Sequence, residues 1–370
     1  MDKMQLELEP IEFSNGFTLN NLDMSSKTSL IDHMIVGPCA AESEEQVMET
    51  ATQLKGLGYK MIRAGVWKPR TLPGAFEGHG EKALKWLSKV QEELGLLVCC
   101  EVGTAEHVKL ALEYGVDLLW IGSRTSTNPF AVEEVGVALD GHAIPVLVKN
   151  PMNPDLNLWV GALKRLNNHG IKKLGAIHRG FGSCSPSVYR NHPGWALPVE
   201  LKQMYESLPI LCDPSHMGGK REYVPTLSQT ALDLGIYSGF MIESHCDPDS
   251  AWTDKSQQVT PSNLDYIVSL LGPRKHTASV DASLNACRTE IDEIDEEILN
   301  SISKRMKVSR EIGEIKKGLK MQVYQNDRYL EVLDKMSIYG SLVGLDAGFV
   351  ENLFKDIHNE SIKQQIELVQ

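Results

Sequence analysis

The chemistry-bearing residues of this 370-residue chain gather first in residues 239–258. An apolar run of strand length at 240–242 is followed by Glu243, His245, Asp247, Asp249 and Asp254. Just upstream, a second strand-sized run at 209–212 leads into Asp213, His216, two glycines, Lys220 and Arg221. Imidazole and carboxylate together suit borderline divalent metals, and a thiolate would narrow the choice to softer transition ions. Cys39, which ends the strand-like stretch 34–38, is a candidate thiolate. No compact CxxC or HExxH occurs, so spacing alone leaves the ligand set open among these residues.

The elements that must position them follow a repeat. Apolar, β-branched runs at 34–37, 60–66, 96–102, 118–122, 145–148, 173–177, 209–212 and 239–242 read as strands. They alternate with helix-period segments at about 43–57, 80–94, 104–114, 130–139, 155–168, 196–206, 225–235 and 261–271. Eight strand–helix units predict a closed parallel (β/α)8 barrel, whose chemistry sits at the C-terminal ends of its strands. The residues found there are Cys39, Arg63 with Lys68 and Arg70, Glu101, Arg124, Lys149, His178 with Arg179, Asp213 with His216, and Glu243. Cations clustered at one mouth of a chain whose formal charge is −12 point to an anionic, phosphorylated substrate.

That net acidity argues against a nucleic-acid or membrane-surface role. Seven scattered cysteines read as reduced thiols of a cytoplasmic protein. No apolar run reaches ~18 residues, and the N-terminus lacks an apolar signal core. Residues 1–30 read as a polar, irregular arm, 31–271 as the α/β TIM barrel, 272–282 as a Gly/Pro-containing linker and 283–370 as a small all-α domain of three helices. The first of these helices, about 282–319, carries an apolar stripe through Leu284, Ile291, Ile294, Ile298, Ile302, Met306, Ile312 and Ile315. It spans ~50 Å, too long for fewer than a hundred residues to cover, so a second copy is expected to supply the missing surface. Two shorter helices follow at about 326–338 and 346–367, parted by Gly340 and Gly344. On the long helix Arg288 lies on one face and Arg305 with Lys316 on another, as two different sites would require.

Over residues 34–272 the chain resembles the type I beta 3-deoxy-D-arabino-heptulosonate 7-phosphate (DAHP) synthases. The resemblance rests on Gly37-Pro38-Cys39-Ala40-Ala41-Glu42-Ser43, Arg63-Ala64-Gly65-Val66-Trp67-Lys68-Pro69-Arg70-Thr71, Gly122-Ser123-Arg124-Thr125, Lys149-Asn150-Pro151, His178-Arg179-Gly180, Asp213-Pro214-Ser215-His216 and Glu243-Ser244-His245. It implies one divalent metal ion, manganese or another transition metal such as iron, cobalt or zinc, on Cys39, His216, Glu243 and Asp254. His245, Asp247 and Asp249 then become neighbours. It implies phosphoenolpyruvate on Arg63, Lys68, Arg124, Lys149 and Arg179, and erythrose 4-phosphate on Lys68, Pro69, Arg70 and Thr71. Lys149 becomes the candidate for proton transfer, with Lys68, Glu101 and His178 beside the reacting atoms.

Residues 284–365 resemble the all-helical chorismate mutases. The resemblance implies chorismate or prephenate on Arg288, Arg305, Lys316, Arg328, Ser361 and Gln365, with Lys316 and Gln365 at the breaking ether bond. It also implies a homodimer through the helical domain, or a higher oligomer built on it, in which Arg288 comes from the partner. The chain departs from that family at Gln325 and Tyr329, which flank Arg328 where an acidic pair is usual. The expectation is a bifunctional enzyme whose helical domain also mediates feedback inhibition. Its alternatives are a non-catalytic sensing and dimerisation module, and a barrel that takes arabinose 5-phosphate, against which Lys68-Pro69-Arg70-Thr71 argues.

Overall fold

The computed structural model describes residues 5–20, 22, 23, 26–70, 74–182, 187–272 and 278–369. Its eight strands are β1 (Met34–Gly37), β2 (Met61–Arg63), β3 (Leu97–Val102), β4 (Leu118–Ile121), β5 (Val146–Lys149), β6 (Leu174–His178), β7 (Ile210–Cys212) and β8 (Gly239–Glu243). Each pairs in parallel with the next, and β8 returns to β1 with Glu243 opposite Gly37, so the sheet closes into a barrel. Successive side chains of a strand point to opposite faces. Ile35, Met61, Cys99, Leu118, Trp120, Leu147, Ile177, Leu211 and Met241 accordingly fill the barrel interior, while Val36, Ile62, Cys100, Val148, Cys212 and Ile242 join the larger core that includes the surrounding helices. Side chains of Ser43, Thr104, Asn128, Asp155 and Thr260 accept first-turn N–H groups and start five of those helices.

The polar N-terminal arm does more than lead in. Glu12 bridges antiparallel to Thr18, and this turn carries Ile11, Phe17 and Leu19, all fully buried, into the interior cluster of the barrel. Three apolar residues spaced among many polar ones make little local pattern, yet they extend the hydrophobic filling of the barrel.

The chain divides into two compact units, Met1–Arg274 and Lys275–Gln370. The second contains helices Ala278–Leu319, Asn326–Leu342 and Ala347–Val369. Its first helix, of 42 residues, is ~63 Å long at 1.5 Å per residue. Gly340 does not end the middle helix as its residue type led us to expect. It is buried, and a Cβ there would lie 2.5 Å from Val350 Cγ2, so it is a close-packing position, while Gly344 at φ 83° makes the turn. Ile291, Ile294, Ile298 and Leu299 of the long helix are about half exposed or more. Among the described residues no helix is long and apolar enough to cross a membrane.

Phe17→Ala should destabilise the barrel unit by about 3–5 kcal/mol, the usual result of emptying a buried aromatic site. Denaturant unfolding followed by tryptophan fluorescence measures it, and a shift below about 1 kcal/mol would show that the arm is not part of the core.

Candidate active site

The interior parity of the strands decides which polar residues meet. Continuing the inward-facing series past the apolar core gives Arg63 after Met61, Glu101 after Cys99, Lys149 after Leu147, Asp213 after Leu211 and Glu243 after Met241. Lys68, Arg70, Arg124, Lys149, Arg179 and Arg190 line a single cavity with Glu101, His216 and Asp254. Six cations thus face two carboxylates, a composition that receives anions. Pro69 lines the same cavity, and Thr71 lies outside the described residues.

Arg63 is 2% exposed, its guanidinium centred 4.9 Å over the Trp120 ring and its Nη2 3.3 Å from Glu243 Oε1. Its Nε and Nη1 are buried without a hydrogen-bond partner among the described residues. Buried donors left in that condition are rare unless a ligand completes them. Lys149 Nζ lies 2.8 Å from Asp213 Oδ2, which also stands 2.8 Å from His216 Nδ1. Burial lowers the Lys149 pKa against the attraction of Asp213, and Arg63 adds to the lowering. Burial would raise Asp213, but His216, Lys149 and Arg63 hold it well below the usual carboxylate range. Trp120 Nε1 donates to Glu101 Oε2 at 3.0 Å, and the carboxylate occupies space that a Cβ at Gly122 would fill, 2.1 Å from Oε1. Arg179 donates from Nη1 to Asn191 Oδ1 at 2.6 Å, and burial brings its pKa down to about 10.

Cys39, Glu243 and Asp254 offer ligand atoms that all lie within 4.8 Å of one another. His216 adjoins them through Nε2, 3.6 Å from Glu243 Oε1, without entering the same circle. Burial and the neighbouring Glu243 push the Cys39 thiol up to about 12, although Lys68 Nζ lies 3.0 Å from its Sγ. Glu243 Oε1 is buried and accepts no hydrogen bond from the described residues. Asp254 holds a left-handed backbone at φ 45°, a conformation that aspartate tolerates better than most residues. A thiol raised by burial and nearby acids and a carboxylate oxygen without a donor are what a divalent cation would relieve, so these residues fit one.

One expectation at the site changes. His178 does not approach the cavity: it follows Ile177, an interior residue, and therefore points outward to the helical layer. It is fully buried, with Nδ1 2.8 Å from Tyr237 Oη and Nε2 2.6 Å from Pro193 O, and burial brings its pKa down to about 3. Asp249 is exposed and pairs with Arg221 at 2.8 Å, while His245 turns to Glu42, 3.6 Å away. Four residues without an assigned role in the sequence reading are structurally important. Arg190 Nη1 donates to Asp254 Oδ1 at 3.0 Å and to Gln257 Oε1 at 2.8 Å, and Gln257 Nε2 donates to Glu243 Oε2 at 2.7 Å. Asn191 bonds Arg179 and the His216 carbonyl. Glu42 Oε1 accepts from Trp252 N at 2.8 Å and its carbonyl meets His79 Nε2 at 3.0 Å, which ties three loops together. Their loops carry no repeating pattern; only Glu42 stands in a family motif, residues 37–43.

In the helical unit, Arg305 Nη1 donates to Ser361 Oγ at 2.5 Å, and Gln365 Nε2 donates to Ser309 Oγ at 2.8 Å. Lys316 Nζ donates to Val323 O at 2.6 Å and lies 3.5 Å from Gln365 Oε1. These four expected residues therefore gather between the first and third helices. Arg328 is exposed and pairs with Glu331 at 2.7 Å. Arg288 is exposed and lies seventeen residues before Arg305, ~25 Å along the helix, so it does not belong to that cluster within one chain.

Residues 31–277 match the family model described as the DAHP synthetase I family, and residues 287–366 match chorismate mutase type II. The chain is similar to phospho-2-dehydro-3-deoxyheptonate aldolase of Thermotoga maritima, 33% identical over 226 residues that make up 61% of this chain and 64% of that protein. It thus spans less than two thirds of that relative. It is also similar to 2-dehydro-3-deoxyphosphooctonate aldolase of Desulfatibacillum aliphaticivorans, 27% identical over 283 residues, 71% of this chain and 98% of that one. Among solved structures it resembles a truncated form of 3-deoxy-D-arabino-heptulosonate 7-phosphate synthase from Thermotoga maritima, with 27% identity, a TM-score of 0.58, and coverage of 71% of this chain and 90% of that chain.

Asp213→Asn should destabilise the barrel by about 3–5 kcal/mol at pH 7, because Lys149 would remain buried without its counter-charge. Asp213 is depressed in the folded state, so its contribution is full above the ordinary carboxylate pKa of about 4 and is lost as pH falls through the lower folded value. Denaturant titrations should show the gap between wild type and variant narrowing in acid. A gap unchanged from neutral pH down through the acid transition would remove Asp213 from the charge balance.

Proposed function

The chain belongs to the DAHP synthetase I family, and from that premise we propose that its barrel condenses phosphoenolpyruvate, erythrose 4-phosphate and water into DAHP and phosphate, while its helical unit rearranges chorismate to prephenate. The observation that carries the first activity is the cavity of six cations beside the Cys39, Glu243 and Asp254 group.

Arg63, Lys68, Arg124, Lys149 and Arg179 hold the carboxylate and phosphate of phosphoenolpyruvate, and the unpartnered Nε and Nη1 of Arg63 support this role. Lys68, Pro69, Arg70 and Thr71 hold erythrose 4-phosphate. A bond forms between C3 of the enol and the aldehyde carbon, water adds at C2, and the bond from C2 to the phosphate oxygen breaks. Two anionic reactants fixed by separate cations arrive already oriented, and the same cations offset charge as it develops. Lys149 holds a proton at Nζ beside Asp213, and Glu101, fixed by Trp120, faces the same cavity and can position the water. Cys39, His216, Glu243 and Asp254 would hold one divalent ion, manganese, iron, cobalt or zinc, which would supply Lewis-acid and templating chemistry.

In the helical unit Arg305, Lys316, Arg328, Ser361 and Gln365 bind the dianionic substrate, and the reaction needs only a compact conformer and donors at the ether oxygen, Lys316 and Gln365. Arg288 reaches the site from a second copy. The half-exposed Ile291, Ile294, Ile298 and Leu299 on the same helix support a homodimer through this unit. Bound prephenate or chorismate lowers synthase activity through a coupling free energy between the two sites. The six described cysteines are free thiols, which supports a reducing, cytoplasmic setting. Tyr329, standing where a carboxylate is usual, favours a second reading in which the helical unit senses ligand and dimerises without turnover.

Consumption of phosphoenolpyruvate with erythrose 4-phosphate and manganese should be abolished by a chelator and slowed by prephenate. Arabinose 5-phosphate in place of erythrose 4-phosphate should give no comparable rate; equal use of both would overturn the assigned aldose. Cys39→Ala should lower synthase turnover at least about 100-fold and spare chorismate turnover. Arg305→Ala should do the reverse, losing about 100-fold or more in the mutase assay. Joint loss of both activities in either variant would mean that the two units do not work separately.

A further inference from the structure

His358, Ser361 and Gln365 follow one another at helical spacing and share one face of the helix Ala347–Val369. Two of the three are engaged across the gap to the long helix, Ser361 with Arg305 and Gln365 with Ser309. The third is not: His358 Nε2 is buried and has no hydrogen-bond partner among the described residues. A buried ring nitrogen left in this state is costly unless something completes it.

The ring itself is held. Tyr329 packs on it with centroids 4.6 Å apart, and Tyr324 lies 6.4 Å from the His358 ring and 6.1 Å from that of Tyr329. Two tyrosines, one on the middle helix and one just before it, thus fix an imidazole whose free nitrogen has no protein partner. Burial, with Arg305 and Lys316 acting on it, lowers the His358 pKa below its ordinary value of about 6.5, so the ring is neutral at neutral pH. The two cations attract carboxylates. A neutral imidazole nitrogen adds little to that, but pairs well with an uncharged hydroxyl.

Resting on the mutase reading of this unit, we infer that His358 is a substrate-binding residue whose Nε2 hydrogen-bonds the ring hydroxyl of the chorismate dianion. Tyr329 is its positioning residue. On this account Tyr329 does not leave the hydroxyl without a partner. It packs the histidine that serves as one.

The experiment uses the full chain and three variants: His358→Ala, His358→Gln, which keeps a hydrogen-bonding group at the reach of Nε2, and Tyr329→Leu, which removes the packing ring. Chorismate turnover is measured as separate KM and kcat values, prephenate binding by calorimetry, and phosphoenolpyruvate consumption as the check that the barrel is intact. His358→Ala should raise KM for chorismate and weaken prephenate binding about tenfold, the loss of one hydrogen bond. His358→Gln should recover most of that, Tyr329→Leu should show a smaller loss, and the barrel rate should not change. Wild-type KM, kcat and prephenate affinity in His358→Ala would overturn the assignment while leaving the mutase reading intact. Equal damage in the Ala and Gln variants, with a lowered melting temperature, would reduce His358 to a packing residue. A wild-type chain that does not convert chorismate would overturn the mutase reading, and this inference with it.

Discussion

Arg63, Lys149, Asp213 and Glu243 lie almost wholly out of water at the C-terminal end of the barrel, and none could stay ionised there without the others. Arg63 faces Glu243 at 3.3 Å and Lys149 faces Asp213 at 2.8 Å. Each pair offsets a desolvation penalty of several kcal/mol per ion. This balance dictates what surrounds it. Trp120 supplies a π-face to both cations, and Asp213 Oδ2 is shared with His216. Gln257 completes the oxygen of Glu243 that Arg63 does not reach. Because the four buried charges cancel, the cations around them set the sign of the mouth. The mouth is therefore strongly positive although the chain as a whole is acidic.

The loops above that floor are held by contacts that cross between strands. Glu42, three residues beyond Cys39, fixes the backbone at Trp252, two residues before Asp254, and its carbonyl meets His79. Phe76 and His79 then pack against Trp252, with ring centroids 5.1 and 6.0 Å away. A thiol from one strand end and a carboxylate from another are thus held in register by a buried acid and an aromatic cluster, neither of which need touch a substrate. Sites built on this arrangement gain precision from rigid neighbours rather than from their own side chains.

The helical unit obeys a different constraint, that of length. A helix of 42 residues outruns the third helix, of 23 residues, that packs on it, so its N-terminal half presents half-exposed isoleucines and an exposed Arg288. The same geometry separates Arg288 from the cluster around Arg305. On the proposed dimer, covering the stripe and completing the cationic site would be one requirement.

Much of this was legible in the sequence. Alternation of two in strands and 3.6 in helices is local, so all eight strand–helix units were placed to within a few residues. Clustered cations and scattered acids at the strand ends, together with the motifs that carry the family resemblance, marked Cys39, Arg63, Lys149, Glu243 and Asp254 before their geometry was known. What the sequence by itself determined were the elements, their order and the residues standing at strand ends. Only the tertiary structure decided which of those residues face inward and what comes to meet them. His178 and Lys149 both end strands, yet the inward register of β5 turns one to the cavity and that of β6 turns the other to the helices. Arg190, Asn191, Gln257 and the Ile11, Phe17 and Leu19 plug arrive from segments with no period to read. Tyr329 reads as a lost carboxylate until the fold lays it on His358. The physical reason is common to all: side-chain direction and contacts between distant segments depend on how the chain closes on itself, and no local pattern records that closure.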